Sequence, residues 1–91
     1  IVKFEGLNCL AVNSPLLHSD IGNKLTKLMP PFAIVWSEKS DYRAISLRSN
    51  GKFDVSKLAQ KYGGGGHKAA AAFRLKLTEK LPWKFIRPFK K

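Results

Sequence analysis

Four consecutive glycines followed by a histidine and a lysine, Gly63 to Lys68, are the part of this chain whose residue types and spacing point to chemistry. Glycine loses more conformational freedom on folding than any other residue, so such a run belongs where backbone approaches something closely or adopts positive φ. Bare successive N–H groups make a concave seat for an oxyanion, and His67 and Lys68 add donors and charge beside it. The chemistry this implies is phosphate binding, with Gly64, Gly65, Gly66, His67 and Lys68 as contacts. A Walker loop would need Ser or Thr after its lysine, but Lys68 follows His67 and precedes Ala69. A dinucleotide fingerprint starting at Gly63 would need glycine where Lys68 stands. The alternative is a linker or plain helix-terminating turn; the apolar run Ala69 to Phe73, which follows at once, favours an ordered loop.

Arg48 is the second candidate, on the strand face it shares with Ser46. A guanidinium grips two phosphate oxygens at once, and Ser46 or Ser49 would add a hydroxyl donor. By spacing alone, a solvated strand arginine is the competing reading. His18 reads as a structural helix residue. His18, His67, Cys9 and the 6 carboxylates show no C-x-x-C, H-x-x-x-H or D-x-D spacing, so no metal ligand set is expected. Cys9 lies inside a strand pattern and reads as a small buried hydrophobe rather than a nucleophile. No residue is assigned a catalytic role.

A few elements must position these residues. Leu7 to Asn13 alternates loosely and predicts a strand. Ser14 as cap and Pro15 at the first helical position predict a helix running to about Met29, where Pro30-Pro31 stops it. Its stripe of Leu17, Ile21, Leu25 and Leu28 is expected to face the core. Phe32 to Trp36 suits a strand covered on both sides, and Tyr42 to Ser49 alternates with Ile45 and Leu47 inward, so the two predict a hairpin. Asp54 caps a short helix carrying Val55, Leu58, Ala59 and Tyr62 that ends at Gly63. After the glycines, Phe73, Leu75 and Leu77 alternate with Arg74 and Lys76 as a last strand with a basic outer face. The order β-α-β-β-α-β is that of a small α/β (α+β) sandwich with helices on a sheet of about four strands.

Ninety-one residues fit one compact domain. Residues 1–77 are expected to form it, with 78–91 as a basic, aromatic tail of no regular period. The net charge of +11 points to a negatively charged partner, and more than half of that charge lies from Arg74 onward. No apolar run exceeds five residues, against about 20 for a membrane-spanning helix, so no membrane partner is expected. The chain opens at Ile1 without initiator Met or leader pattern and is expected to be cut from a longer one. One cysteine cannot make an internal disulfide, and a reduced, cytoplasmic setting is the expectation.

The text Gly64-Gly65-Gly66-His67 followed by Ala70-Ala71, with Asp54-Val55-Ser56-Lys57-Leu58-Ala59 and Ser46-Leu47-Arg48-Ser49 before it, resembles the DHHA1 domain. That domain is the C-terminal substrate-binding part of DHH-family phosphoesterases, among them RecJ-type exonucleases and nanoRNase oligoribonucleases. The resemblance covers about residues 7–77. It implies that an N-terminal DHH domain of the same chain holds two manganese ions, while this part binds a short oligonucleotide or nucleotide phosphate. It places phosphate contacts at Gly64, Gly65, Gly66 and His67, with Arg48 and Ser49 as further contacts. No Asp-His-His sequence occurs, so this stretch alone is expected to hold no cofactor and to be inactive. One departure is Ala72, where the family often has glycine; the pocket mouth is altered if that glycine serves positive φ or close ligand approach. Two other readings stand beside it: a free-standing, charge-driven nucleic-acid binder relying on the tail, and a basic protein-interaction module.

Overall fold

Alternation of apolar and polar residues makes strands, and seven of them join in one sheet in the computed structural model, which describes residues 1–89. They are β1 (Val2–Phe4), β2 (Leu7–Asn13), β3 (Phe32–Glu38), β4 (Tyr42–Ser49), β5 (Gly65–Gly66), β6 (Ala70–Lys76) and β7 (Trp83–Phe85). Helix α1 (His18–Leu28) joins β2 to β3, and α2 (Val55–Gln60) lies between β4 and β5. The lateral order is β5-β6-β4-β3-β2-β1-β7. β2 and β3 run parallel with α1 as their crossover, and the other neighbours are antiparallel. The α+β class is as expected. The sheet exceeds about four strands because β1, β5 and β7 have only two or three residues each, too few for an alternation to show.

Register divides the sheet into two faces. On one, Phe4, Cys9, Phe32, Ile34, Ile45, Leu47 and Phe73 pack with Val55, Leu58 and Ala59 of α2 as the hydrophobic core. Phe4 meets the rings of Phe32, Tyr62, Phe73 and Trp83 at centroid distances of 5.6–6.3 Å. Burial pushes the Cys9 thiol up to about 12, so at neutral pH it is a packing group and not a thiolate. Trp83 and Phe85, inside the tail segment 78–91, form β7 on β1, while Lys90 and Lys91 lie outside the described residues. Among the described residues, no helix is long and apolar enough to cross a membrane.

The other face carries α1, and two expectations for that helix are corrected. It starts at His18 rather than Pro15: Ser14 is held by β3 through its N–H on the Trp36 carbonyl, and its hydroxyl engages the backbone of Leu16 instead of capping a helix. The leucine stripe is not the inner face either. Leu17 is 66% and Leu28 42% exposed, whereas the helix residues buried against the sheet are Gly22 and Thr26. Small residues face inward because the side chain of Arg48 occupies the space between helix and sheet.

α2 follows its sequence signals. The Asp54 carboxylate accepts the Ser56 N–H, and hydrogen bonding to Ser56 holds that carboxyl below its usual range.

Candidate phosphate site

The alternation of β4 sends Arg48 to the α1 face. Its aliphatic stem passes under Gly22, where an added Cβ would stand 2.5 Å from Arg48 Cγ. The guanidinium emerges at the start of the helix, where Nη2 donates to Ser19 Oγ at 3.0 Å and Nη1 to the Leu47 carbonyl at 3.1 Å. Burial lowers the Arg48 pKa, yet an arginine starts so far above neutrality that it stays charged. Beneath it, the Thr26 hydroxyl lies 2.8 Å from the Gly22 carbonyl and 3.1 Å from that of Arg48, tying helix to strand. Gly22→Ala is expected to displace the guanidinium and weaken anion binding about tenfold. Stability should change by only about 1–2 kcal/mol, because overpacking is offset by the better helix propensity of alanine. Titration with a phosphorylated ligand beside a thermal melt checks this, and unchanged affinity would show that Arg48 needs no glycine above it.

His18, read from sequence as structural, stands beside Ser46. Its Nδ1 lies 2.7 Å from Ser46 Oγ and its Nε2 2.7 Å from the Ser14 carbonyl. A carbonyl only accepts, so Nε2 carries the proton, and in the neutral ring the Ser46 hydroxyl donates to Nδ1. Leu17 occupies the N-cap position with φ +60° and no side-chain cap. The first-turn N–H groups therefore lack a side-chain acceptor, and the positive end of α1 lies beside Ser19 and Arg48. No sequence signal marks His18, since its partner is 28 residues away; Gly22, which the sequence reading passed over, could have been found as an isolated glycine inside a helical pattern.

The glycine run is not the open row of free N–H groups expected from sequence. The N–H of Gly63 donates to Gln60, that of Gly64 to Ala59 and that of His67 to Ala70, while Gly65 and Gly66 form β5 on β6. The turn that ends α2 holds the Gly63 and Gly64 donors, and the hairpin to β6 holds that of His67. Gly64 is required because a Cβ there would stand 2.1 Å from the Ala72 carbonyl oxygen, and Gly66 because it has φ +148° and Ala70 pressed against it. Gly65 differs, with nothing within 4 Å of its would-be Cβ.

Gly65 pairs with Ala72 and the His67 N–H donates to Ala70, so this alternation carries His67 to the Arg48 face. Arg48 pairs with the same Ala70, which sets the two backbones two strand spacings apart, about 10 Å. Between them the floor is Ala70, Ala72 and Gly65, nothing larger than a methyl group. Ala72 sits in regular β6 backbone, so its methyl is accommodated without strain. Ser49 is not brought to this face. Its hydroxyl is buried on the far side, bonding Phe53 and Lys68 carbonyls and the Gly51 N–H, and so ties the loop after β4 to the β5–β6 hairpin. Lys68 is exposed at the hairpin tip, with its carbonyl holding the Val55 N–H. Along the strands from Arg48 the floor opens into a pocket of about 410 Å³. Two cationic or hydrogen-bonding side chains and a helix N-terminus around a small-residue floor can seat and orient an anion. Among the described residues, no three His, Cys, Asp or Glu side chains gather as a metal site requires.

The family model described as the DHHA1 domain matches residues 17–83. An uncharacterized protein of Acanthamoeba polyphaga mimivirus is 45% identical over 67 residues, covering 68% of this chain and 16% of that protein. Oligoribonuclease NrnB of Bacillus subtilis is 36% identical over 61 residues, covering 66% of this chain and 15% of the enzyme. Among solved structures, an uncharacterized protein from Helicobacter pylori superposes with a TM-score of 0.62 at 28% identity, over 78% of this chain and 21% of that one. The chain thus spans about a sixth of the length of the curated relatives it matches.

Proposed function

This chain belongs to the DHHA1 domain family, and from that premise we propose that it is the substrate-binding domain of a DHH-type phosphoesterase, seating a phosphate of a short oligonucleotide or nucleotide at Arg48 and His67. The observation that carries the reading is the placement of these two side chains on one sheet face across a floor of Ala70, Ala72 and Gly65, beside the uncapped start of α1. The role is positioning and charge neutralisation of the phosphate rather than proton transfer. Hydrolysis would be metal-assisted attack of water on a phosphodiester, with manganese held by a DHH domain of the same protein and not by residues of this chain. An oligoribonuclease relative supports this substrate class. Ser49 serves by fixing the hairpin that carries His67, and Lys68 adds charge at its tip.

The test is titration of the 91-residue chain with a 5′-phosphorylated dinucleotide, following the amide signals of Gly63 to Lys68 and of Arg48. Charge-assisted hydrogen bonds of about 1.5–3 kcal/mol predict that Arg48→Ala and His67→Ala each weaken binding about 10–100-fold. Lys84→Ala, exposed on β7 at the sheet edge opposite β5, should leave it within about twofold. Equal losses at all three positions would replace this reading with charge-driven binding.

A further inference from the structure

The far end of the same sheet face carries a feature that the phosphate reading leaves unused. Arg74 of β6 lies over the ring of Tyr42 of β4, its Cζ 4.3 Å from the ring centroid. The ladder pairs Arg48 with Ala70, Ser46 with Ala72, Ala44 with Arg74 and Tyr42 with Lys76, so all of these share one face. A pocket of about 410 Å³ opens here, with Tyr42 and Arg74 in one wall, Ala44, Ser46 and Ala72 along β4 and β6, and Gly64 and Tyr62 where it reaches past the end of β5 to the core side. Its volume falls in the range of about 300–1,000 Å³ usual for small-ligand sites. No carboxylate lines it. The nearby Glu79 is turned away to accept the Lys76 N–H at 2.9 Å. A tyrosine ring with a guanidinium on it offers the planar, positively charged surface on which nucleobases stack.

We propose that this cleft is a nucleobase subsite, taking a base of the same oligonucleotide whose phosphate sits at Arg48 and His67, so that the strand lies along the exposed face of β4 and β6. The assignment rests on the phosphate reading above. From the Arg48–Ala70 pair to the Ala44–Arg74 pair is four residues, about 13 Å. That distance is about four nucleotides at the 3.4 Å rise of a stacked strand, the form the proposal assigns to the bound oligomer. A mononucleotide reaches one end of the face, whereas a short strand reaches both.

The experiment measures affinities of the 91-residue chain for 5′-phosphorylated uridine oligomers of two and four nucleotides. The tetranucleotide is expected to bind about tenfold tighter, the scale of one base stacked on an aromatic side chain. Arg74→Gln and Tyr42→Leu should each abolish most of that gain, Tyr42→Phe should keep it, and dinucleotide affinity should stay the same in all three. Arg74 is exposed, so its variant tests the cleft without endangering the fold. Equal affinity for both lengths, or a gain that persists in both Arg74→Gln and Tyr42→Leu, overturns the proposal. If the dinucleotide depends on Arg48 but length brings nothing, the cleft alone is refuted. If dinucleotide binding ignores Arg48 while the tetranucleotide still needs Tyr42, the phosphate reading fails and the base cleft stands.

Discussion

Replacing Gly64 by alanine is expected to cost about 3 kcal/mol or more, a fall in melting temperature of about 12–24 °C, while the same change at Gly65 leaves the fold intact and weakens phosphate binding about tenfold. The two residues are adjacent and chemically identical, so only their surroundings separate them. A methyl on Gly64 runs into the Ala72 carbonyl and the Cα and Cβ of Phe73, which belong to the sheet and the core and cannot swing aside. The strand β5 would have to leave β6, taking the His67 hairpin with it. At Gly65 the methyl meets open space on the cleft side. Alanine is also better tolerated than glycine in a strand by about 0.5–1 kcal/mol, so melting should hold or rise slightly. Melts of both variants, followed by dinucleotide titration of the Gly65 variant, decide the matter. Unchanged binding in a folded Gly65→Ala chain would mean that no ligand approaches that backbone, leaving the run with a purely architectural purpose.

Phe4→Ala is expected to cost about 3–5 kcal/mol, the scale for truncating a fully buried phenylalanine. For a domain this small that is a large part of the total stability of about 5–15 kcal/mol, and most of the cooperative melt should be lost by 37 °C. The argument rests on position. Phe4 is wholly buried and meets four other rings, joining β7 through Trp83, β3 through Phe32 and the end of α2 through Tyr62. Tyr62 is itself anchored by its hydroxyl on Glu5 at 2.6 Å, beside the Lys61–Glu5 ion pair. Phe4→Leu, which keeps most of the volume, should cost about 1.5 kcal/mol or less. A denaturant series that places Phe4→Ala within about 1 kcal/mol of the parent would show that β1 lies outside the cooperative unit.

Much of the architecture was legible from local pattern. The strands read over 7–13, 32–36 and 42–49, the second of which runs on to Glu38, and the Asp54-capped helix were readable because period and capping are properties of neighbouring residues. Leu17, Ile21, Leu25 and Leu28 obeyed the helical period, but period reports which residues share a stripe and not what the stripe meets. The meeting surface here is filled by an arginine stem from a strand 26 residues beyond Gly22, so glycine and threonine, not leucine, turn inward. β7 escaped for a related reason, since it pairs only with β1 about 80 residues away, and β1, although hairpinned to β2, has three residues and shows no alternation of its own.

The site divides along the same line. By itself the sequence determined the inventory from which the proposed phosphate site is built, Arg48, His67 and a glycine run on a strongly basic chain, because residue type and composition need no fold to be read. Tertiary structure decided how those parts are used. The turn that ends α2 took the Gly63 and Gly64 N–H groups that were to hold the anion, while strand register put Ser49 behind the sheet and brought His18 and Ser46 together in front of it. Which face a side chain occupies depends on register with distant strands, and whether an N–H is free depends on a partner that only the folded chain supplies.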